Sequence, residues 1–360
     1  MYIIEIMIIF INVVFLLLSF YLLAVVCDRY FVNSLDSIAQ KLKMNSDMAG
    51  ATLMAVGSSA PELFVSFMAL FKPGNEAMGA GTIVGSALFN ILVIIGASAM
   101  VKKAFIAWQP VIRDIIFYSL SIILLIFSFR DGSISLSEAS IFVISYIVYV
   151  IAVMKWKKIL PYKDESKDAI EDLEKGIDKS EKNKTIFGRF ISVVEKILDF
   201  IFPNPKYYWW VFFVSIVIIA GLSWVLVESA VVLAVALNIP AVIIGLTILA
   251  AGTSIPDLMS SIIVAKQGRG GMAISNAIGS NIFDILIGLG LPWLLVLTFS
   301  GKIITVANEN INSSIILLFA TVIAILFLLF IRKWKIGKFS GLIMIALYLG
   351  YLTWAIIQVL

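Results

Sequence analysis

The chain has 360 residues, of which 61% are hydrophobic and 14% charged, with a mean hydropathy of +1.05 and a formal charge of +4. A soluble domain is about half apolar and a quarter charged, so this composition excludes a soluble enzyme and a nucleic-acid-binding module and specifies a polytopic membrane protein. It has no histidine and one cysteine, Cys27, which excludes imidazole zinc sites, Ser-His-Asp triads, intrachain disulfides and Cys-ligated clusters. What remains for chemistry is carboxylates, hydroxyls, amides and backbone carbonyls, the hard oxygen ligands of Na⁺, K⁺, Ca²⁺ and Mg²⁺.

Ten apolar runs of about 20 residues, enough to cross a hydrocarbon core of about 30 Å, follow one another along the chain. They lie at about 5–27, 48–71, 79–101, 112–129, 138–156, 207–236, 241–265, 272–299, 311–331 and 339–359. The first follows Met1-Tyr2-Ile3-Ile4-Glu5 with neither a basic n-region nor a small-residue cleavage site, and reads as a retained helix. Between the fifth and sixth runs, residues 157–206 carry Lys163, Asp164, Glu165, Lys167, Asp168 and many more charges, too many to bury a core. This stretch is expected to be a flexible linker with short exposed helix. It divides the chain into 1–156 and 207–360, with five spans on each side.

Charge sets the orientation. The loops after spans one, three, seven and nine hold twelve Lys and Arg: Arg29, Lys41, Lys43, Lys102, Lys103, Arg113, Lys266, Arg269, Arg332, Lys333, Lys335 and Lys338. The loops after spans two, four, six and eight hold three, Lys72, Arg130 and Lys302. Odd-numbered connections and the central loop are therefore expected in the cytoplasm, with both termini outside the cell membrane. Asp28 and Asp114, beside basic residues at span ends, are expected at the interface, and Glu228, late in span six, near the outer surface. Trp209, Trp210 and Trp293 read as interfacial aromatics.

An internal repeat carries the most information. Ala55-Val56-Gly57-Ser58-Ser59-Ala60-Pro61-Glu62 returns as Ala250-Ala251-Gly252-Thr253-Ser254-Ile255-Pro256-Asp257. Gly85-Ser86-Ala87-Leu88-Phe89-Asn90 returns as Gly279-Ser280-Asn281-Ile282-Phe283-Asp284, at nearly the same distance downstream. The copies fall on spans two and three (about 48–101) and seven and eight (about 241–299). Spans two and seven run in opposite directions, so the expected fold is an all-α polytopic membrane protein of ten transmembrane helices in two inverted five-helix repeats.

Helical spacing puts Ser58, Ser59 and Glu62 on one face, and Thr253, Ser254 and Asp257 on another; Ser86 with Asn90, and Ser280 with Asp284, do the same. Pro61 and Pro256 offer no N–H to the carbonyls of Gly57 and Gly252 and are expected to kink their helices. A carboxylate at the bilayer centre costs at least about 2.5 kcal/mol, and Glu62, Asp257 and Asp284 would place three there. Like-charge repulsion forbids that without cations or protons, which is the charge logic of cation exchange. Taken singly, each motif has a plainer reading: a packing kink at Gly-x-x-x-Pro, or close helix approach at Ser86 and Ser280.

These motifs, with Cys27-Asp28-Arg29-Tyr30-Phe31-Val32 and Gly81-Thr82-Ile83-Val84-Gly85-Ser86, resemble the cation/calcium exchanger superfamily, and within it the potassium-dependent sodium/calcium exchangers. The resemblance implies that Glu62 and Asp257 ligate Ca²⁺ and Na⁺ in alternation. It implies hydroxyl ligands at Ser58, Ser59, Thr253, Ser254, Ser86 and Ser280, carbonyl ligands at Ala55 and Ala250, and a paired amide and acid at Asn90 and Asp284. The central loop is too short for the large regulatory calcium-binding insert of some members. The expected function is Na⁺/Ca²⁺ antiport by alternating access with K⁺ accompanying Ca²⁺; Ca²⁺/H⁺ exchange, or a cation channel, are the alternatives. No enzyme activity, cofactor, nucleic acid or obligatory protein partner is expected; the partners are the ions and the lipid bilayer.

Overall fold

The computed structural model describes residues 2–70, 76–162, 196–236, 250–300, 304–305 and 309–357. Most of the charged linker (163–195) and the start of the seventh expected span (237–249) lie outside them. The regular secondary structure of the described residues is helical apart from four two-residue strands. Among the described residues six helices are long and apolar enough to cross a membrane, or seven with the bent pair Ser46–Ser58 and Ala60–Phe67; Ile315–Ile331 and Lys338–Trp354 are apolar but shorter.

The first helix departs from its expected end at residue 27. Helix α1 (Tyr2–Val26) runs through a π-helical turn, Cys27–Phe31, straight into α2 (Val32–Lys41). Neither glycine nor proline interrupts residues 27–41. Val32, Leu35, Ile38 and Ala39 give the extension a buried stripe. The second span is built from α3 (Ser46–Ala49), a π turn (Gly50–Met54), α4 (Ala55–Ser58) and α5 (Ala60–Ala69). The third is α6 (Glu76–Phe89), a π turn (Asn90–Ile94) and α7 (Ile95–Val101), followed by α8 (Trp108–Ser128) and α9 (Leu136–Ile159). Ser135 and Glu138 close a capping box at the start of α9.

The second half contains α10 (Tyr208–Ala236), α11 (Ala250–Thr253), α12 (Ile255–Lys266), α13 (Gly270–Phe283), a π turn (Asp284–Leu289), α14 (Gly290–Phe299), α15 (Glu309–Ile331) and α16 (Lys338–Ile357). Strand β1 (Ala104–Phe105) pairs antiparallel with β4 (Lys335–Ile336), and β2 (Ser133–Ile134) with β3 (Ile304–Thr305). The α8 rod between β1 and β2 has 21 residues, a length of about 32 Å. The two ladders therefore lie at opposite ends of the bundle, each joining a connection of one half to a connection of the other.

Two hydrophobic clusters fill the interior. The larger is made by α6–α9 and α13–α16, the smaller by α1, α2 and α10 with Met54, Ile255, Val264 and Met272. Between the halves the backbones come very close: a Cβ on Gly279 would stand 2.7 Å from the Ala51 carbonyl oxygen. Only glycine fits there.

Three expectations about the periphery change. Trp293 is not interfacial; it is 1% exposed and packs edge-on against Phe142 and beside Phe129. Arg113 and Asp114 belong neither to a loop nor to the interface. Both are fully buried inside α8, where Arg113 forks onto Asp114 (2.7 and 3.0 Å) and reaches Asp47 at 3.2 Å. Tyr149 and Tyr162 donate to Asp114 and Asp47, so ion pairing with Arg113 and these hydrogen bonds together make the burial tolerable. The end of the linker is not simply exposed either. Residues 196–201 are helical, Leu198 and Phe202 are buried, and Phe202 stacks on Tyr30 at 3.7 Å. Trp209, Trp210 and Glu228 are exposed on the surface of the bundle.

Candidate functional site

Both Pro-acid motifs break their helices in the same way. Ser59 ends α4 at φ −87°, ψ 10°, and Ser254 precedes α12 at φ −84°, ψ 5°. Pro61 and Pro256 then occupy the first turn of the new helix, where a missing N–H costs least and the fixed φ is already helical. The kink expected from proline is thus a stop and restart one residue earlier, and it bends the second span by 43°. Each restart sets its acid, Glu62 or Asp257, in the first turn of the new helix.

Ser58, Ser59, Glu62, Ser86, Asn90, Ala250, Thr253, Ser254, Asp257, Ser280 and Asp284 are all fully buried, as is Ala55. The hydroxyls do not serve the acid of their own motif, as same-face spacing implied. They cross over. Ser254 donates to Glu62 Oε1 at 3.0 Å. Asp257 accepts from Ser58, from Ser280 at 2.9 Å, and from Ser59 and Asn90 at the long limit of 3.5 Å. Ser86 lies 2.8 Å from Ser254 Oγ and 3.4 Å from Asp284 Oδ2. The carbonyl of Ala55 accepts the Ser59 N–H at 3.0 Å, and that of Ala250 accepts the Ser254 N–H and the Thr253 hydroxyl.

Oxygen is in surplus. Ser58 has one proton and two acceptors at hand, the Met54 carbonyl at 2.6 Å and Asp257. Glu62 Oε2, Asn90 Oδ1 and Asp284 Oδ1 are buried with no hydrogen-bond partner among the described residues. A buried acceptor left unpaired costs about 1–3 kcal/mol, and more when charged. A cation placed among them would supply what these oxygens lack. Among the described residues no three acidic or cysteine side chains converge as a metal centre; the donor set mixes carboxylates with hydroxyl and amide oxygens, as suits Na⁺, K⁺ or Ca²⁺.

The sequence reading passed over Asn281, whose amide joins Asn90 at 2.9 Å to the Ala87 carbonyl at 3.1 Å. Its one visible signal is asymmetry, since the repeat puts alanine at the matching position. Asn276, bonded to Ser261 at 2.9 Å, was also passed over.

The sequence pattern described as sodium/calcium exchanger protein matches residues 12–155 and 207–357, most of the chain. The protein belongs to the sodium/calcium exchanger family. It is 30% identical to sodium/potassium/calcium exchanger 2 of Gallus gallus, over 95% of this chain and 76% of that one. It is 28% identical to sodium/potassium/calcium exchanger 4 of Mus musculus, over 94% and 80% of the two chains. Among solved structures it is similar to the sodium-calcium exchanger NCX_Mj soaked with 2.5 mM Na⁺ and 10 mM Sr²⁺, at TM-score 0.64 and 26% identity, over 95% and 97% of the chains. This family member is a multi-pass, helical integral membrane protein and a cation/calcium antiporter.

Proposed function

We propose that Na⁺ entering down its gradient drives Ca²⁺ outward through this site, with K⁺ travelling alongside Ca²⁺. The observation that carries the reading is the crossed arrangement at the centre: Glu62 and Asp257 each accept from hydroxyls of the other repeat, Asp257 from Ser280 of its own repeat as well, beside three buried oxygens with no partner among the described residues. Ca²⁺ takes six to eight oxygens at about 2.3–2.6 Å. Glu62 and Asp257 supply its charge, Ser58, Ser59, Thr253, Ser254, Ser86 and Ser280 its hydroxyls, and Ala55 and Ala250 carbonyls at the helix breaks. Na⁺ competes for the same ligands. Only a neutralised site can pass between the two faces, because unpaired carboxylates in a closed apolar bundle are costly.

Ten spans in two inverted repeats are supported by three matches between the halves. The breaks at Ser59 and Ser254 share one conformation, and π turns begin at both Asn90 and Asp284. The two ladders also exchange places under the repeat: β1 and β3 follow spans three and eight, β2 and β4 spans four and nine. The first ladder brings Lys102, Lys103, Lys335 and Lys338 to one end, in keeping with a cytoplasmic face there. Moving Arg113 from loop to helix still leaves eleven basic residues against three.

Potassium is supported by Asp284. Its repeat counterpart is Asn90, so the second half carries one extra negative charge, which a monovalent ion balances when Ca²⁺ occupies the centre. The names of the similar sodium/potassium/calcium exchangers point the same way. The test is ⁴⁵Ca²⁺ uptake into proteoliposomes under imposed gradients. Uptake that needs Na⁺ inside and K⁺ beside Ca²⁺ is expected. Uptake driven by a pH gradient and indifferent to Na⁺ would assign Ca²⁺/H⁺ exchange, and flux without any counter-ion would assign a channel.

A further inference from the structure

Asn281 is fully buried between Ser280 and Asp284 in sequence, yet two hydrogen bonds of its amide run to the first repeat. Its Nδ2 donates to the Ala87 carbonyl at 3.1 Å, and its Oδ1 accepts from Asn90 Nδ2 at 2.9 Å. The direction of this relay is fixed by chemistry. A backbone carbonyl only accepts, so the NH₂ end of Asn281 must face Ala87 and its oxygen must face Asn90. Asn90 must then turn its own NH₂ toward Asn281, where it also comes within 3.5 Å of Asp257 Oδ2. The far end of the Asn90 amide is Oδ1, buried and without a donor among the described residues.

The two ends of a primary amide are nearly isosteric, and a half-turn exchanges them. For a cation the exchange is decisive, since it replaces a lone-pair oxygen by two positively polarised hydrogens. We infer that Asn281 is a positioning residue that locks the Asn90 amide with its oxygen presented to the cation. This rests on the proposed cation site. The internal repeat explains why the device exists once. The counterpart of Asn90 is Asp284, whose two carboxylate oxygens are equivalent and need no orienting. The residue that would orient it, at position 87, is alanine.

Removal of the relay frees Asn90 to turn over. Equilibrium ⁴⁵Ca²⁺ binding to the purified full-length chain reads the effect, with the thermal midpoint as a check on folding. Asn281→Ala, and Asn281→Leu which keeps the volume, are expected to raise the Ca²⁺ Kd about tenfold. In an Asn90→Ala background, which lacks the amide, and in an Asn90→Asp background, whose carboxylate has no wrong way round, Asn281→Ala is expected to change Kd by less than about twofold. An equal shift in all three backgrounds would assign Asn281 to packing and overturn the inference. So would an unchanged Kd in Asn281→Ala and Asn281→Leu while Asn90→Ala weakens binding, which would leave the cation site intact. Binding unaffected by Asn90→Ala itself would remove Asn90 from the site, and the inference with it.

Discussion

Ser254 and Glu62 stand on opposite halves of the sequence, 192 positions apart, and meet at 3.0 Å through hydroxyl and carboxylate. Ser58 reaches back across the same junction to Asp257. Neither half completes the coordination of its own acid, so the set exists only where the two motifs interlock. On the exchange reading, this interlocking allows binding and movement to be coupled: ligands contributed by both halves are brought together or pulled apart when the halves shift.

Asp284 gives a prediction about potassium. If its charge is balanced by K⁺, Asp284→Asn should leave Na⁺-driven ⁴⁵Ca²⁺ flux that no longer responds to K⁺, while the unaltered protein loses most of its flux when choline replaces K⁺. Flux in the unaltered protein that ignores the replacement would remove K⁺ from the mechanism.

Gly279 tests the close contact between the halves. A methyl group there meets Ala51 backbone at 2.7–2.8 Å, whereas at Gly221 it meets nothing within 4 Å. Gly279→Ala should lower the thermal midpoint in detergent and cut exchange severalfold. Gly221→Ala should be neutral or stabilising by about 0.5–1 kcal/mol through helix propensity. Equal effects of the two substitutions would contradict the packing described.

The buried ion cluster makes a prediction about stability alone. Arg113→Leu strands Asp114 and Asp47 beneath the surface, and loss of one partner of a buried pair costs about 3–5 kcal/mol. The thermal midpoint should fall by several degrees. A midpoint unchanged within error would mean the cluster is not held together by Arg113.

How far the sequence foretold this arrangement depends on the residue. The helix breaks were legible because Pro61 and Pro256 act locally, and the burial of Glu62, Asp257 and Asp284 followed from acids set within apolar runs. The pairing of hydroxyls with acids was not legible: spacing along one helix cannot report which partner lies across a junction. The part played by Asn281 was not legible for the same reason, its two partners being more than 190 positions away, and only the alanine at its repeat position set it apart. Arg113 and Asp114 were misplaced because charge at a span end reads as interface unless the third and fourth members, Asp47 and Tyr149, are known to converge there. Trp293 misled similarly, since an aromatic in an apolar run carries no mark of which surface it faces.

Orientation is open to direct labelling. With Cys27→Ser removing the native thiol, a cysteine introduced as Ser180→Cys in the central loop should react with an impermeant maleimide in inverted vesicles and not in intact cells. Labelling in intact cells would reverse the topology.

On the proposed reading, Glu62 and Asp257 form one site for which Ca²⁺ and Na⁺ compete. Equilibrium ⁴⁵Ca²⁺ binding to the purified protein, titrated with Na⁺, tests it without any assumption about transport. The account predicts saturable Ca²⁺ binding displaced by Na⁺, and loss of that binding in Glu62→Gln and in Asp257→Asn while both variants stay folded. Na⁺-displaceable binding of near-normal affinity in either variant would contradict it.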